Sequence, residues 1–270
     1  MSLTAAWLYL AVCAFMFLYQ RHLMYFPDTV RPDAPAVEEI VKLRTVDGLD
    51  LQGWYFAPRN QGKPVIAVFH GNAYHALGRM PKLQRYRDAG YGLLLAEYRG
   101  YGGNPGSPTE EGLYKDARAF LQWLRMEKGV EPSKTVLYGE SLGTGVAVQM
   151  AAEAAENEPY SALILEAPFS ATVDLARKTY FYLPVDLLMK DQFRSREKIG
   201  KIRMPLLVLH GDRDEVVPLQ SGQALFEAAH NPKTFIVIDG GTHHNLYSYG
   251  AASYVTDFLS GLEKKTSKKH

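Results

Sequence analysis

The stretch TVLYGESLGTGVAVQMAAEA, residues 135–154, decides how this chain is read. Thr135 to Tyr138 is a short apolar run suited to a buried strand, Gly139-Glu140-Ser141-Leu142-Gly143 is a tight turn, and Val146 to Ala155 has helical composition. A strand that passes into a helix through a single serine leaves that serine at strained backbone angles with its hydroxyl exposed, and glycines on both sides keep neighbouring side chains from colliding. A Gly-x-Ser-x-Gly string alone is common. The strand before it and the helix after it make this one a nucleophile elbow. Gly145, two residues on, is expected to let the helix lie close to the sheet.

Working outward from the elbow, short buried runs recur at Val65 to Phe69, Leu93 to Glu97, Ala162 to Leu165, Leu206 to Leu209 and Thr234 to Ile238. Amphipathic segments separate them. Leu113, Asp116, Ala117, Phe120, Trp123 and Leu124 show the clearest helical spacing. Strands alternating with helices imply a parallel sheet, with the site at the strands' carboxyl ends. Val41 to Val46 and Leu51 to Phe56 flank the turn signal Asp47-Gly48 and predict an antiparallel pair at the start. No repeat, low-complexity insert or Pro/Ser-rich linker divides the chain, so one doubly wound α/β domain is expected.

A serine hydroxyl is a weak nucleophile at neutral pH, so a base and an orienting acid must follow, in that fold in the order serine, acid, histidine. His210-Gly211-Asp212-Arg213-Asp214-Glu215 follows a strand and offers three carboxylates. Asp214 is the chosen acid, Asp212 is expected to cap or brace the loop, and Glu215 to be solvated. Glu166, at the end of another strand, competes for the role because an acid there could reach the same imidazole. Gly240-Gly241-Thr242-His243-His244 follows the last strand; His243 is the chosen base, with His244 as its alternative. His70 and His210 each precede a glycine at a strand end and are read as structural, satisfied by backbone groups.

The developing oxyanion requires two backbone N–H groups, one from the residue after the nucleophile and one from the loop after the third strand. Leu142 and Asn72, the latter in His70-Gly71-Asn72-Ala73, fit those places. Tyr98-Arg99-Gly100-Tyr101-Gly102-Gly103 resembles a dinucleotide fingerprint only superficially, since no helix begins where the phosphates would need one. No cofactor is expected.

Composition narrows the remaining possibilities. Of 270 residues, 47% are hydrophobic and 22% charged, and 30 basic against 29 acidic residues leave a formal charge of +1, too little to hold nucleic acid by phosphate neutralisation. The single cysteine, Cys13, precludes an intramolecular disulfide and any zinc site built from several cysteines. No metal-binding cluster is visible.

Leu3 to Tyr19 is uncharged and apolar on every side, then stops at Gln20-Arg21-His22, with Trp7 and Tyr19 placed as interfacial residues. An uncleaved membrane anchor is the chosen reading. A cleaved leader lacks its basic start and small-x-small site, Leu10-Ala11-Val12-Cys13 only partly matches a lipoprotein box, and a buried helix would be apolar on one stripe. Arg21 and His22 after the segment tilt positive-inside counting towards a cytoplasmic domain. The chain therefore divides into an anchor over 1–24, a domain over 25–263 and a basic, frayed tail over 264–270.

Taken in order, Gln20-Arg21-His22-Leu23-Met24-Tyr25-Phe26-Pro27, His70-Gly71-Asn72-Ala73, Tyr98-Arg99-Gly100-Tyr101-Gly102, the elbow, Asp191-Gln192-Phe193-Arg194-Ser195, His210-Gly211-Asp212-Arg213-Asp214 and Gly241-Thr242-His243 cover nearly the whole chain. This series resembles the α/β-hydrolase superfamily of serine hydrolases, and within it the small membrane-anchored abhydrolase-domain branch. The resemblance implies the α/β-hydrolase fold, a mostly parallel eight-stranded sheet with helices on both faces and a small helical cap, beside the N-terminal hydrophobic helix. It implies the triad Ser141, Asp214 and His243 and an ester, thioester or amide substrate. Many relatives carry His-Asn where this chain has His243-His244.

The forty or so residues of 167–204 leave room for a small cap. Within it, Thr179 to Val185 and Leu187 to Met189 are apolar enough to line an acyl pocket, touch lipid or simply pack. The expected function is hydrolysis of a carboxylic ester or thioester through an acyl-enzyme on Ser141, with a hydrophobic, lipid-like acyl substrate. The alternatives are a serine peptidase of the same fold and a non-catalytic hydrolase-fold binding protein.

Overall fold

Side chains alternate along the central strands, and the alternation builds a separate core on each side of one sheet. The structure, a computed structural model, describes residues 2–33, 39–60 and 62–267, with the backbone alone for 265–267. Helix α1 (Leu3–Met24) leads into a two-residue strand, β1 (Phe26–Pro27), then β2 (Glu39–Arg44), β3 (Asp50–Phe56), β4 (Val65–Phe69), a second two-residue strand, β5 (Ala73–Tyr74), helix α2 (Met80–Asp88) and β6 (Gly92–Ala96). Next come α3 (Glu110–Lys128), β7 (Thr135–Glu140), α4 (Leu142–Ala154) and β8 (Ala162–Glu166). The short helices α5 (Thr172–Thr179), α6 (Val185–Leu188) and α7 (Ser195–Ile199) precede β9 (Leu206–Gly211), α8 (Leu219–Ala228), β10 (Lys233–Ile238) and α9 (Ala251–Ser267).

Eight strands form the main sheet in the order β10-β9-β8-β7-β4-β6-β3-β2. From β10 to β6 every neighbouring pair is parallel, while β3 runs antiparallel to both β6 and β2. This is the α/β-hydrolase architecture with its opening hairpin. In β4, Val65, Ala67 and Phe69 join the core under α3, α4 and α8, while Ile66 and Val68 join the one under α2 and α9. Leu94 and Ala96 of β6 go with the first set, Leu93 and Leu95 with the second. All of these are buried. Burying each large aliphatic side chain contributes roughly 1.5–3 kcal/mol, so the pattern of twos and the pattern of three-and-four specify the same layers.

Helix α3 follows its sequence signals. The Thr109 hydroxyl accepts the Gly112 N–H at 2.9 Å at the start, Gly129 closes the end in the left-handed region, and Leu113, Ala117, Phe120 and Leu124 face the sheet. Asp116, on the same buried face, is held by Arg99, whose guanidinium also binds Asp47 at 2.8 Å. The glycine-rich loop after β6 thus builds a buried ion pair.

Several expectations change. Helix α4 begins at Leu142, four residues before Val146. Gly145 turns away from the sheet: a Cβ there would stand 2.7 Å from the Phe193 ring and 3.2 Å from Phe169, so it makes room for aromatics from 167–204. Gly143 is the residue that meets the sheet. Helix α1 runs to Met24, the end of the expected 1–24 segment, and its 22 residues reach about 33 Å. Helix α9 carries the backbone to Ser267, where a frayed tail was expected from Lys264; Lys268 to His270 lie outside the described residues.

Candidate active site

The elbow is built by close approach. Ser141 sits at φ 49° and ψ −116°, a conformation that costs a non-glycine residue about 1–3 kcal/mol. Neighbouring bonds hold it there: its N–H donates to Glu166 O at 2.9 Å, and its carbonyl accepts from Thr144 N at 2.9 Å and Thr144 Oγ1 at 2.6 Å. A Cβ on Gly143 would stand 2.0 Å from Phe69 O, and one on Gly139 would stand 2.6 Å from Gly143 O. No side chain fits at either place.

Strands β9 and β10 are parallel neighbours, so the loops leaving their carboxyl ends lie side by side. The Asp212 N–H donates to Ile238 O at 3.2 Å and the Arg213 N–H to Gly241 O at 2.9 Å, tying the two loops together. In the second loop, Asn245 Oδ1 accepts the Thr242 N–H at 2.7 Å. His243 then lies with Nε2 2.8 Å from Ser141 Oγ and Nδ1 2.8 Å from Asp214 Oδ2. Asp214 Oδ1 accepts the N–H groups of Val216 and Val217 at 2.9 and 2.7 Å. Burial opposes ionisation of Asp214, but hydrogen bonds from His210, His243 and these amides outweigh it and hold the carboxyl well below the usual range. A hydroxyl, an imidazole and an ionised carboxylate linked in this way can move a proton from Oγ to Nε2 and steady the resulting cation.

The competing residues go elsewhere. His244 is exposed at the cavity rim, its ring edge-on to His243 at 4.9 Å. Asp212 and Glu215 are both exposed, so Asp212 does not brace the loop through its carboxylate; the backbone bonds do that. Glu166 is engaged by Lys82 Nζ at 2.6 Å and by the Tyr138 hydroxyl. His210 and His70 are not satisfied by backbone alone: each also lies near a carboxylate, and His210 Nδ1 and His70 Nε2 make no hydrogen bond among the described residues. His210 Nε2 meets Val217 O at 2.9 Å and Asp214 Oδ2 at 3.4 Å, and His70 Nε2 lies 2.9 Å from Glu97 Oε1.

Asn72 occupies a clamped loop. Its Nδ2 donates to Met24 O, the Tyr101 hydroxyl donates to Asn72 O at 2.8 Å, and β5 pairs with β1 directly after it. A Cβ on Gly71 would lie 3.4 Å from Ser141 Cβ, so the loop passes close over the serine. Leu142 is the first residue of α4, where the N–H has no intrahelical acceptor and forms part of the positive end of the helix dipole.

Sequence reading missed a polar cluster on the cavity wall. Glu140, beside the serine, binds Lys82 at 2.5 Å and Arg79 at 3.0 Å; Lys82 bridges to Glu166, and Tyr138 and Tyr86 both meet the Tyr247 hydroxyl. Burial opposes its charge, yet the two cations bring the Glu140 carboxyl down to about 2. Burial raises the Tyr138 and Tyr247 phenols well above their usual range, so they remain neutral donors. The only signal for this cluster is the position of Glu140 inside the elbow; Arg79 and Lys82 are ordinary surface-type residues until α2 folds over the strand ends.

Ser141 and His243, with Arg79, Lys82, Glu140, Glu166 and Tyr247 of this cluster, line one cavity of about 690 Å³. Its other wall is apolar, contributed by Phe169, Leu175, Leu183, Val185 and Leu188 from the 167–204 region together with Met16, Leu23 and Met24 of α1. Such a volume suits a small or single-chain organic ligand.

Residues 60–181 and 185–247 match the family described as serine aminopeptidase, S33. An uncharacterised protein of Mycobacterium tuberculosis is 38% identical over 240 residues, 87% of this chain and 84% of that one. The lysophosphatidylserine lipase ABHD12 of Danio rerio is 34% identical over 198 residues, 67% of this chain, which spans about half (51%) of the lipase's length. Among solved structures, an esterase of Pyrococcus furiosus superposes with a TM-score of 0.71 at 19% identity, covering 89% of this chain and 98% of the esterase.

Proposed function

Because the chain belongs to the serine aminopeptidase S33 family of α/β-hydrolases, we propose that it hydrolyses carboxylic esters or thioesters of hydrophobic acyl groups through an acyl-enzyme on Ser141. The observation that carries this is the unbroken hydrogen-bonded run from Asp214 through His243 to Ser141 Oγ, opening into a cavity with one apolar wall. Ser141 Oγ attacks the acyl carbonyl as His243 Nε2 takes its proton. The N–H groups of Leu142 and Asn72 receive the developing oxyanion. His243 returns the proton to the leaving alcohol or thiol, then activates a water that releases the acid. Asp214 keeps the imidazole oriented and stabilises its cation.

The family's description raises aminopeptidase activity as a second reading. A free substrate amine is best held by an unpaired carboxylate. Among the described residues lining the cavity the carboxylates are Glu140 and Glu166, both already neutralised by Lys82 and, for Glu140, by Arg79. An apolar acyl ester meets the cavity with less left unsatisfied. The relative named as a lysophosphatidylserine lipase is consistent with a lipid ester. Helix α1, long enough to span a bilayer and exposed on most of its apolar faces, holds the domain at a membrane in this reading.

The test is direct. Purified protein should label with a fluorophosphonate probe and turn over p-nitrophenyl esters faster than aminoacyl p-nitroanilides, and Ser141→Ala should abolish both labelling and turnover. Survival of either in that variant refutes the mechanism, and faster cleavage of the anilides favours the peptidase.

A further inference from the structure

Helix α1 does more than stand beside the domain. Tyr9, Cys13, Met16 and Gln20, spaced three or four residues apart, form one stripe against the 167–204 region. The Tyr9 hydroxyl donates to Tyr182 O at 3.0 Å. Cys13 is buried in one cluster with Leu183 and Val185, and Met16 packs on that cluster. Gln20 closes the end of α6 from both sides, its Nε2 donating to Leu188 O at 3.0 Å and its Oε1 accepting the Lys190 N–H at 2.7 Å. Arg21 then makes two bonds to the buried Asp191, at 2.8 and 3.1 Å. A helix serving only as a tether has no need of this ladder of specific bonds, which fixes the rotation of α1 about its own axis.

That rotation brings Met16 and Leu23 onto the apolar lining of the cavity holding Ser141, together with Leu175, Leu183 and Leu188. The polar cluster of Arg79, Lys82 and Glu140 lines the same cavity. Outside the groove, the unpacked faces of α1 and the neighbouring Phe181 and Leu187 are apolar and strongly exposed. We infer that a single substrate acyl chain lies in the groove between α1 and helices α5 and α6, and that Met16 and Leu23 of the anchor helix set the acyl chain length the enzyme accepts. This rests on the ester-hydrolase reading of Ser141. It adds that the membrane helix is a specificity element, with the groove flanked by surface suited to lipid.

The experiment uses the full chain in detergent micelles with p-nitrophenyl esters from C4 to C16, reading the ratio of kcat/KM for C16 to that for C4. Met16→Trp should fill the groove and lower the ratio at least tenfold, moving the optimum to shorter chains. Met16→Ala should raise the ratio or move the optimum to longer chains, and Leu23→Trp should act as Met16→Trp does. Leu8→Trp, on an exposed face of α1, should leave the ratio at the wild-type value. The inference is overturned if the Met16 and Leu23 variants keep the wild-type ratio, or if they lose activity equally at all chain lengths while Met16→Ala keeps the wild-type profile. If the wild type shows neither probe labelling nor turnover of any ester, the hydrolase reading itself has failed; an active wild type with an unresponsive ratio refutes only the role of α1.

Discussion

His210 Nε2 lies 3.4 Å from Asp214 Oδ2, the oxygen that also meets His243 Nδ1 at 2.8 Å. Two imidazoles therefore share one carboxylate oxygen, and the second is packed tightly enough that a Cβ on Gly222 would stand 2.3 Å from its Nδ1. In the proposed mechanism this contact makes His210 a positioning residue for the acid.

Replacing it tests that role. His210→Asn should lower kcat about 5–30-fold, the equivalent of roughly 1–2 kcal/mol for one contact to a charged group, with KM changed little. Steady-state kinetics separate the two parameters. An equal loss in kcat/KM arising wholly from KM would contradict the assignment.

The two candidate acids make opposite demands. Asp214→Asn should cost about 10³–10⁴-fold in kcat, because the amide neither holds the imidazole in its productive tautomer nor stabilises the imidazolium. Glu166→Gln should instead lower the melting temperature by breaking its bonds to Lys82 and Tyr138 while sparing most of kcat. If Glu166→Gln proved the more damaging to kcat, Asp214 would not be the acid.

Acid stability should depend on the elbow's own glutamate. The Glu140 carboxyl is lowered from 4.5 to about 2 in the folded chain, so the unfolded chain binds more protons between those values. Its stabilisation is complete above about pH 4.5 and is lost as pH falls towards 2, with a slope of at most ~1.4 kcal/mol per pH unit for one group. Asp214, lowered in the same sense, adds to the loss below pH 4. Urea titrations from pH 6 to 2.5 should show Glu140→Gln less stable than wild type near neutrality, with a shallower decline. A parallel decline would remove Glu140 from the account.

Gly143 and Gly145 should respond differently to the same methyl. Gly143→Ala drives Cβ into the backbone oxygen of Phe69, which cannot move without disturbing β4, so roughly 3 kcal/mol or more and about 6–12 °C of melting temperature are expected. Gly145→Ala meets side-chain atoms of Phe193 and Phe169 in place of a backbone oxygen, and should cost less. Calorimetry on the two variants checks the order.

What could be read directly was local. Strand, Gly-x-Ser-x-Gly turn and helix are contiguous, so residues 135–154 alone announce the elbow, and β4 matches its apolar run residue for residue. The loops bearing Asp214 and His243 were legible because each immediately follows a buried run, which places it at the carboxyl edge of a parallel sheet. The loop position left both His243 and His244 open as the base, and the 2.8 Å contact of His243 to Ser141 Oγ depends on how β10 lies on β9.

The rest is non-local. Glu166 remains a competitor to Asp214 for the imidazole until α2 brings Lys82 over the strand ends to claim it. Gly145 reads as a sheet contact until Phe193 arrives from fifty residues downstream. Residues 3–19 read as a featureless apolar rod because they are apolar all round, and composition cannot say which stripe of such a helix has a partner. The sequence determined by itself the layers, the elbow and the order of the chemical groups, since these follow from periodicity and from neighbours along the chain. Only the tertiary structure decided which carboxylate is free to hold the imidazole and which face of α1 walls the cavity, because both depend on side chains that meet only when distant segments pack.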